Sequence, residues 1–285
     1  MACDWLLVDG SSLIFRAFHG VPADAARAPD GHAVNAVRGT LDRLAALIAQ
    51  RRARNVAVAA DADWRPRWRV ELLPSYKTHR AAEPVPPGLI PQLPVVSDML
   101  AAIGIDDTGV SGYEAEDVIA AWTAQLDGEI EVLSGDRDLF ALVEDPRVRV
   151  LYPERGGLAV VDEAEVTRRY GIPGRRYADF AVLRGDPSDG LPGLKGVGAQ
   201  SAAQLVGRWG GVEEMLRDAP LRDADRDYLE RALAVVRPSR NLAVAPPLGR
   251  RERYPADPVA LSALIARHGL DSSCARLVGA LSAMR

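Results

Sequence analysis

Three stretches of the chain follow one plan, in which a short apolar run leads to an acidic residue and a helical pattern lies nearby in sequence. Short apolar runs are typical of buried parallel strands, and strands that alternate with helices favour a parallel α/β sheet. We therefore predict a mostly parallel central sheet flanked by helices, with ligands bound beyond the carboxyl ends of the strands. The runs and their acids are Trp5–Val8 with Asp9, Val56–Ala60 with Asp61, and Ile130–Leu133 with Asp136.

Two regions depart from this plan. Residues 62 to about 94 are basic and aromatic and include a run of prolines that begins at Pro84, and they are too long for an ordinary helix–strand connection. From about residue 162 the pattern becomes helical, with Asp162 as the predicted N-cap of the first of these helices. We predict an α/β domain over residues 1–170, with a functional insertion at about 62–94 (the arch segment), and a helical annex over residues 171–285.

Length and composition exclude several classes of protein. A chain of 285 residues is near the upper limit for one hydrophobic core, so one elaborated domain or a domain with a small annex is expected. No apolar run approaches the ~20 residues that span a bilayer, and the first residues resemble a strand rather than a leader peptide. Cys3 and Cys274 lie at opposite ends of the chain and form no disulfide framework. We expect a cytoplasmic monomer with no membrane partner.

Nine acidic residues are the candidate metal ligands. Several follow predicted strands, one group opens a helix, and one pair lies in a Gly/Pro-rich loop. Carboxylates without neighbouring His or Cys suit hard ions such as Mg²⁺ or Mn²⁺, and a cluster of this size needs cations to remain ionised. Helix-dipole and turn roles are the alternative for each pair taken alone. The nine are Asp9, Asp61, Glu114, Glu116, Asp117, Asp136, Asp138, Asp186 and Asp189.

The charge distribution favours a nucleic-acid partner, although the net charge is −4. Without the nine acids the formal charge becomes +5. The chain has 33 arginines and only two lysines, and one of these, Lys77, lies in the arch segment. Basic groups beside aromatic rings suit single-stranded nucleic acid, although Trp64 and Trp68 could equally pack on the core. The basic and aromatic residues of this segment are Arg65, Arg67, Arg69, Lys77 and Arg80, with Trp64, Trp68 and Tyr76.

The second lysine lies in a glycine-rich turn before a predicted helix. In the sequence Gly193-Leu-Lys195-Gly196-Val-Gly198, glycines leave consecutive backbone N–H groups free to face a phosphate, and the helix N-terminus adds its dipole. The histidines His19, His32 and His268 show no partner pattern, and we interpret them as structural or surface residues.

Five separated motifs resemble the 5′-nuclease domain of bacterial DNA polymerase I and the flap endonuclease family. The resemblance runs from about Asp4 to Asn241, and no polymerase domain follows it, which is typical of a stand-alone member. The motifs, in order, are LLVDGSSLIFRAF, SYKTHR, GYEAEDVIA, SGDRDL and LRGDPSDGLPGLKGVGAQSA.

The resemblance implies a metal-dependent nuclease that acts on DNA 5′ ends and 5′ flaps in replication and repair and leaves 5′-phosphate and 3′-hydroxyl ends. Asp9, Asp61, Glu114 and Asp117 would hold a first metal; Asp136, Asp138, Asp186 and Asp189 would hold the second and any further ion, with Glu116 either shared between the metals or outside direct coordination. Lys77 and Arg80 would face the scissile phosphate as catalytic residues, and Arg16 would lie near the 5′ terminus. Lys195, Gly196 and Gly198 would contact duplex DNA in a helix-hairpin (helix-three-turn-helix) element that can bind K⁺. RNA–DNA hybrids are further candidate substrates, and a nucleoid-associated location is expected.

The chain departs from the family pattern at two positions, and two other functions remain open. Glu116 replaces an Asp, and Gly190 replaces an Asn that usually follows Asp189. A non-catalytic branched-DNA-binding module of the same fold is one alternative. A haloacid dehalogenase-like phosphatase is another, but that class needs a second Asp two residues after Asp9, where Ser11 stands.

Overall fold

The computed structural model describes residues 3–82 and 85–284, so Pro84 of the predicted arch segment lies outside the described residues. A six-stranded sheet forms the centre of this part of the chain, in the order β3-β2-β1-β4-β5-β6. The first five strands are parallel, and β6 pairs antiparallel with β5. The strands are β1 (Trp5–Asp9), β2 (Asn55–Ala59), β3 (Asp106–Thr108), β4 (Ile130–Leu133), β5 (Val148–Glu154) and β6 (Gly157–Val161).

Helices cover both faces of this sheet, so the predicted mostly parallel α/β architecture is confirmed. In the described residues they are α1 (Gly10–Gly20), α2 (Asn35–Arg51), α3 (Arg67–Leu72), α4 (His79–Ala82), α5 (Gln92–Ile103), α6 (Ala115–Gln125), α7 (Glu163–Tyr170), α8 (Tyr177–Arg184), α9 (Ala199–Trp209), α10 (Val212–Asp218), α11 (Asp223–Val236), α12 (Pro258–His268) and α13 (Asp271–Ser282).

The side chains of β1 alternate between the two faces of the sheet, and each face has its own hydrophobic core. Leu7 faces one core, which α6 and the helices from α8 to α11 complete, whereas Leu6 and Val8 face the other, which α2, α5 and α13 complete. Successive strand residues point to opposite faces, and helices on both faces explain why residues 5–8 of this strand are all apolar. The helices of residues 171–285 therefore pack on two faces of the sheet, and the predicted domain boundary near residue 170 stays a prediction.

Local sequence explains where several helices begin. The carboxylate of Asp9 accepts a hydrogen bond from the backbone N–H of Ser12 and caps α1. Asp162 accepts from the N–H of Glu165 and caps α7, as predicted, and Asp257 caps α12 in front of a proline at its first position. The arch segment ends before residue 92, because Gln92 begins α5, which packs in the core.

The strand order places a crevice beside β1. The chain continues from β1 to β2 on one side and returns as β4 on the other side of β1. At such a reversal of strand order, the connections leave the carboxyl edge in opposite directions and open a crevice. Among the described residues, no helix is both long enough and apolar enough to cross a membrane.

Truncation of Leu277 on α13 tests whether the last two helices are integral to the fold. Leu277 is fully buried against the core of α2, so Leu277→Ala should lower the free energy of unfolding by about 2–5 kcal/mol through lost contacts and a cavity. Urea denaturation followed by circular dichroism measures this loss. Val259→Ala on α12, whose side chain is 81% exposed, is the control and should change stability by less than ~0.5 kcal/mol. Equal stability of the two variants would contradict an integral role for α13.

Candidate metal centre and nucleic-acid cleft

The carboxyl edge of the sheet brings the strand-end acids together. Asp9 is the last residue of β1, and its carboxylate accepts a 2.5 Å hydrogen bond from the hydroxyl of Ser134, just after β4. Asp61 follows β2 by two residues and accepts a 2.7 Å hydrogen bond from the N–H of Ala115, at the start of α6. The acids at the carboxyl ends of the strands and at the N-terminus of α6 therefore surround the same space.

That space is a cavity of about 560 Å³. Eight of the nine predicted ligands line it, together with Arg16, Lys77 and Arg80. Asp117 lies behind the cavity wall with no exposed surface. Lys195, Gly196 and Gly198 lie elsewhere, on an exposed turn before α9. The eight lining acids are Asp9, Asp61, Glu114, Glu116, Asp136, Asp138, Asp186 and Asp189.

Three of these acids fit a divalent cation. One carboxylate oxygen from each of Glu116, Asp136 and Asp138 lies within 4.8 Å of the other two. Burial raises the pKa of Glu116 and of Asp138 well above the ordinary value, and neighbouring carboxylates raise the Asp138 pKa further. A hard oxygen donor set with excess negative charge is what Mg²⁺ and Mn²⁺ prefer, so the residues present fit such an ion.

Three further carboxylates beside this trio also have raised pKa values. Burial, and then repulsion from Asp61, raises the pKa of Asp9 to about 7. Burial raises the pKa of Asp189 to about 6, although Lys77 opposes the shift. Burial also raises the pKa of Asp61. At neutral pH, a divalent cation binding here would therefore displace protons from the site.

Sequence reasoning named Arg69 but did not predict its ion pairs with the acids around α6. Its guanidinium is fully buried and binds three acids at the N-terminus of α6, of which Glu114 is the N-cap. Nη1 contacts Glu114 and lies 2.6 Å from Glu116 Oε1, while Nη2 lies 2.9 Å from Asp117 Oδ1. One arginine of the arch segment thus compensates three carboxylates. Arg69 was predicted to face nucleic acid, and this is wrong because the side chain has no exposed surface.

Glu114 collects further partners from the arch segment. Burial would raise its pKa, but Lys77 and Arg69 outweigh burial and lower the pKa to about 2. The hydroxyl of Tyr76 donates to Glu114, and Arg80 Nη1 lies 2.8 Å from the same carboxylate. Tyr76 is buried, so the prediction that its ring faces unstacked bases is wrong.

Lys77 lines the cavity with almost no exposed surface. Its Nζ lies 2.9 Å from Glu114 Oε1 and 3.7 Å from Asp189 Oδ1, and its backbone φ is +44°. A non-glycine residue with positive φ is uncommon, and such strained residues cluster at functional sites. Contact of Lys77 with the scissile phosphate stays a prediction, because in this structure its charge is bound to carboxylates.

Asp186 is also compensated by arginine. Arg137 Nη2 lies 2.9 Å and Arg184 Nη2 lies 3.1 Å from Asp186 Oδ2. Sequence reasoning did not assign a role to either arginine, although Arg137 stands between Asp136 and Asp138 in a motif that had been singled out. The ligand roles of Asp117 and Asp186 stay predictions, since arginines hold oxygens of both carboxylates.

The two tryptophans of the arch segment have different surroundings. Trp68 donates its indole N–H to the carbonyl of Gly112, which supports the packing alternative for this residue. Trp64 lines the cavity, lies 6.0 Å from the ring of Phe15 in a stacked arrangement, and carries the Arg80 guanidinium over its face at 4.4 Å. Of these two tryptophans, only Trp64 borders the acidic cavity.

The histidines have partners that spacing could not reveal. His32 Nε2 lies 3.3 Å from His268 Nδ1, across 236 residues of sequence, and His268 is buried. His19 lines the cavity beside Arg16.

The sequence and fold define a known family of nucleases. Residues 4–171 match the family model described as "5′-3′ exonuclease, N-terminal resolvase-like domain", and residues 172–245 match "5′-3′ exonuclease, C-terminal SAM fold". The chain therefore belongs to the 5′-3′ exonuclease family, and the predicted family resemblance is confirmed.

Individual relatives agree with this assignment. A 5′-3′ exonuclease of Streptomyces coelicolor is 46% identical over 98% of this chain and 100% of its own length. DNA polymerase I of Mycobacterium bovis is 36% identical over 83% of this chain but 26% of its own length. A bacteriophage T5 D15 flap endonuclease in a complex with DNA and metal ions shares the fold, with a TM-score of 0.69, 17% identity and coverage of 98% of this chain and 99% of its own.

Removal of Arg69 should destabilise the protein strongly. Arg69→Gln leaves Glu114, Glu116 and Asp117 buried without their shared cation, and the expected loss is about 3–5 kcal/mol. Urea denaturation at neutral pH measures it. The control Arg67→Gln removes a guanidinium of the same helix that is exposed and pairs with Glu71, which should cost no more than ~1 kcal/mol. Similar losses in the two variants would contradict the role of Arg69.

Stability should depend on pH and Mg²⁺ together. Because the folded-state pKa of Asp9 is about 7, against an ordinary 3.8, the metal-free fold binds a proton that the unfolded chain releases, and this contribution disappears as pH rises through 7. Glu114, with a pKa of about 2, titrates below this window. The increase in Tm on adding Mg²⁺ should therefore be larger at pH 8 than at pH 6. Scanning fluorimetry with EDTA or Mg²⁺ measures it; the same increase at both pH values would refute the expectation.

Proposed function

We propose that this protein hydrolyses phosphodiester bonds at the 5′ ends and 5′ flaps of DNA with the help of bound Mg²⁺ or Mn²⁺, leaving 5′-phosphate and 3′-hydroxyl ends. The observation that carries the proposal is the convergence of Glu116, Asp136 and Asp138 within one acidic cavity. Their carboxylates would hold a metal ion, and the acids around them would hold a second. Bound there, the ions would supply an activated water and neutralise charge on the leaving oxygen.

The basic residues of the cavity would bind the phosphate. Arg16 is exposed on α1 and Arg80, which also pairs with Glu114, reaches the cavity from α4, so two guanidinium groups line the place where a 5′ phosphate would enter. Lys77 would fix the position of Glu114 and supply a positive charge beside the reacting phosphate. Trp64, which stacks near Phe15, would offer an aromatic face to a base at the cavity entrance.

The turn at residues 195–198 would bind the duplex. Gly198 precedes α9 without a side-chain cap, Gly196 has a positive φ, and open space surrounds both glycines. Exposed N–H groups at this helix N-terminus, with Lys195 beside them, suit a backbone phosphate. Carbonyl groups of the same turn would bind K⁺. Action on RNA–DNA hybrids, a monomeric state and a cytoplasmic, nucleoid-associated location stay predictions.

The two alternative functions find less support. A non-catalytic DNA-binding module does not need three converging carboxylates. Burial raises the pKa of two of them, Glu116 and Asp138, and such buried acids are costly to the fold. In the phosphatase alternative, residue 11 would act as an acid, but the Ser11 hydroxyl accepts a hydrogen bond from the N–H of Asp61.

Cleavage of labelled DNA tests the proposal. A 5′-labelled flap duplex and a recessed-end duplex are incubated with Mg²⁺, with Mn²⁺ and with EDTA. We expect metal-dependent products, and Asp136→Asn should reduce the rate at least ~100-fold, because it removes a charged ligand of the candidate centre. Asp98→Asn, which removes an exposed acid of α5, is the control and should cleave normally. DNA binding without cleavage in either metal would favour the non-catalytic module.

A further inference from the structure

Gly190 lies where the arch segment touches the loop that carries Asp186 and Asp189. This loop closes on itself, since the N–H of Asp186 donates to the carbonyl of Leu191 and the N–H of Leu191 donates to the carbonyl of Asp186. Asp189 then presents its own carbonyl to the arch segment, where the N–H of Lys77 donates to it over 3.1 Å. The two segments thus meet through their backbones.

The approach at Gly190 leaves no space for a side chain. A Cβ atom at this position would lie 1.9 Å from the carbonyl oxygen of Ser75 and 2.7 Å from its carbonyl carbon. Both are backbone atoms, so rotation of a side chain cannot relieve the overlap. Any larger residue would move the turn at residues 75–77 away from the loop.

Backbone conformation is a separate requirement at the same position. The φ of Gly190 is +72°, in the left-handed region that glycine adopts freely and asparagine tolerates better than other residues. If conformation alone mattered, Asn would be accepted here. The close contact with Ser75 excludes Asn and Ala alike, so the two requirements can be distinguished by mutation.

The contact bears directly on the cavity. Lys77 follows Ser75 by two residues and holds Glu114 on one side and Asp189 on the other. A shift of the 75–77 turn would move the lysine Nζ relative to both acids. The acid-bearing loop and the arch segment are therefore fixed as one unit through a residue that has no side chain.

We propose that Gly190 is a positioning residue of the proposed nuclease: it allows the 75–77 turn to dock on the 185–191 loop and thereby sets Lys77 in the acidic cavity. Only the kinetic test of this proposal rests on the proposed function. Its structural content, the docked position of the arch segment, can be measured without any reaction.

Limited proteolysis provides the first measurement. Gly190→Ala and Gly190→Asn should both release the 75–77 turn, and trypsin should cut after Lys77 or Arg80 at least about fivefold faster than in the unmodified protein. Gly156→Ala and Gly156→Asn are the matched controls, because Gly156 has a φ of +99° with no atom near its Cβ position. They should leave the cleavage rate at these sites unchanged. Cleavage of both Gly190 variants at the rate of the unmodified protein would overturn the proposal.

A double-mutant cycle separates positioning from a general structural effect. On a flap duplex, Gly190→Asn should lower kcat about 10- to 100-fold, with the dissociation constant for DNA in Ca²⁺ changed less than twofold. In the background of Lys77→Ala, the same change should lower kcat less than about threefold, because the side chain through which Gly190 acts is gone. Additive losses in the cycle would overturn the proposal.

Two outcomes remain distinguishable from these. If Gly190→Asn keeps the kcat of the unmodified protein, the close contact has no role and the proposal fails. If the unmodified protein cleaves no DNA, the proposed function fails, but faster proteolysis of the Gly190 variants would still support the docking role. Circular dichroism of each variant, compared with its Gly156 counterpart, ensures that the comparison concerns folded protein.

Discussion

The guanidinium of Arg69 is the interaction on which the acidic end of the sheet depends. Buried carboxylates repel one another, and without compensation they take up protons or force the fold apart. Arg69 reaches Glu114, Glu116 and Asp117 from α3, so an element outside the sheet balances the N-terminus of α6. The ion pairs of Arg69 thus hold the arch segment against the N-terminus of α6 in the absence of nucleic acid.

Some acids of this site form ion pairs with arginine, whereas others lie mainly beside other carboxylates. Arg69 binds both oxygens of Asp117, and Arg137 and Arg184 bind one oxygen of Asp186, which gives these carboxylates fixed orientations. Asp138 and Asp9 lie among other carboxylates, and burial first, then repulsion from these carboxylates, raises the pKa of both. A cluster of carboxylates attracts cations, so we expect cations to bind in the part of the cavity that Asp138 and Asp9 share with other carboxylates.

Much of this arrangement could be predicted from the sequence. Apolar runs that lead to Asp9, Asp61 and Asp136 define parallel strands, and parallel strands place their carboxyl ends at one edge, so the joint position of these acids follows from local pattern. The pairing of Arg69 with α6 could not be predicted, because an arginine in a basic, aromatic segment has the same local pattern whether it faces solvent or a buried acid. The same holds for Arg137 on Asp186 and for His32 beside His268, since these contacts join residues that are far apart in the sequence. At Gly190 the sequence showed a departure from the family pattern. It could not show the close approach of the Ser75 backbone, because Ser75 is far from Gly190 in the sequence.

The shared guanidinium also constrains how this site can change during evolution. Because one arginine contacts three acids, a substitution at residue 69, 114, 116 or 117 alters the surroundings of the other three at once. We therefore expect the four positions to be energetically coupled, so that the cost of a substitution at one of them depends on the residues at the other three. Glu116 is the member of this set at which the sequence departs from the family pattern, and its side chain both pairs with Arg69 and lines the cavity.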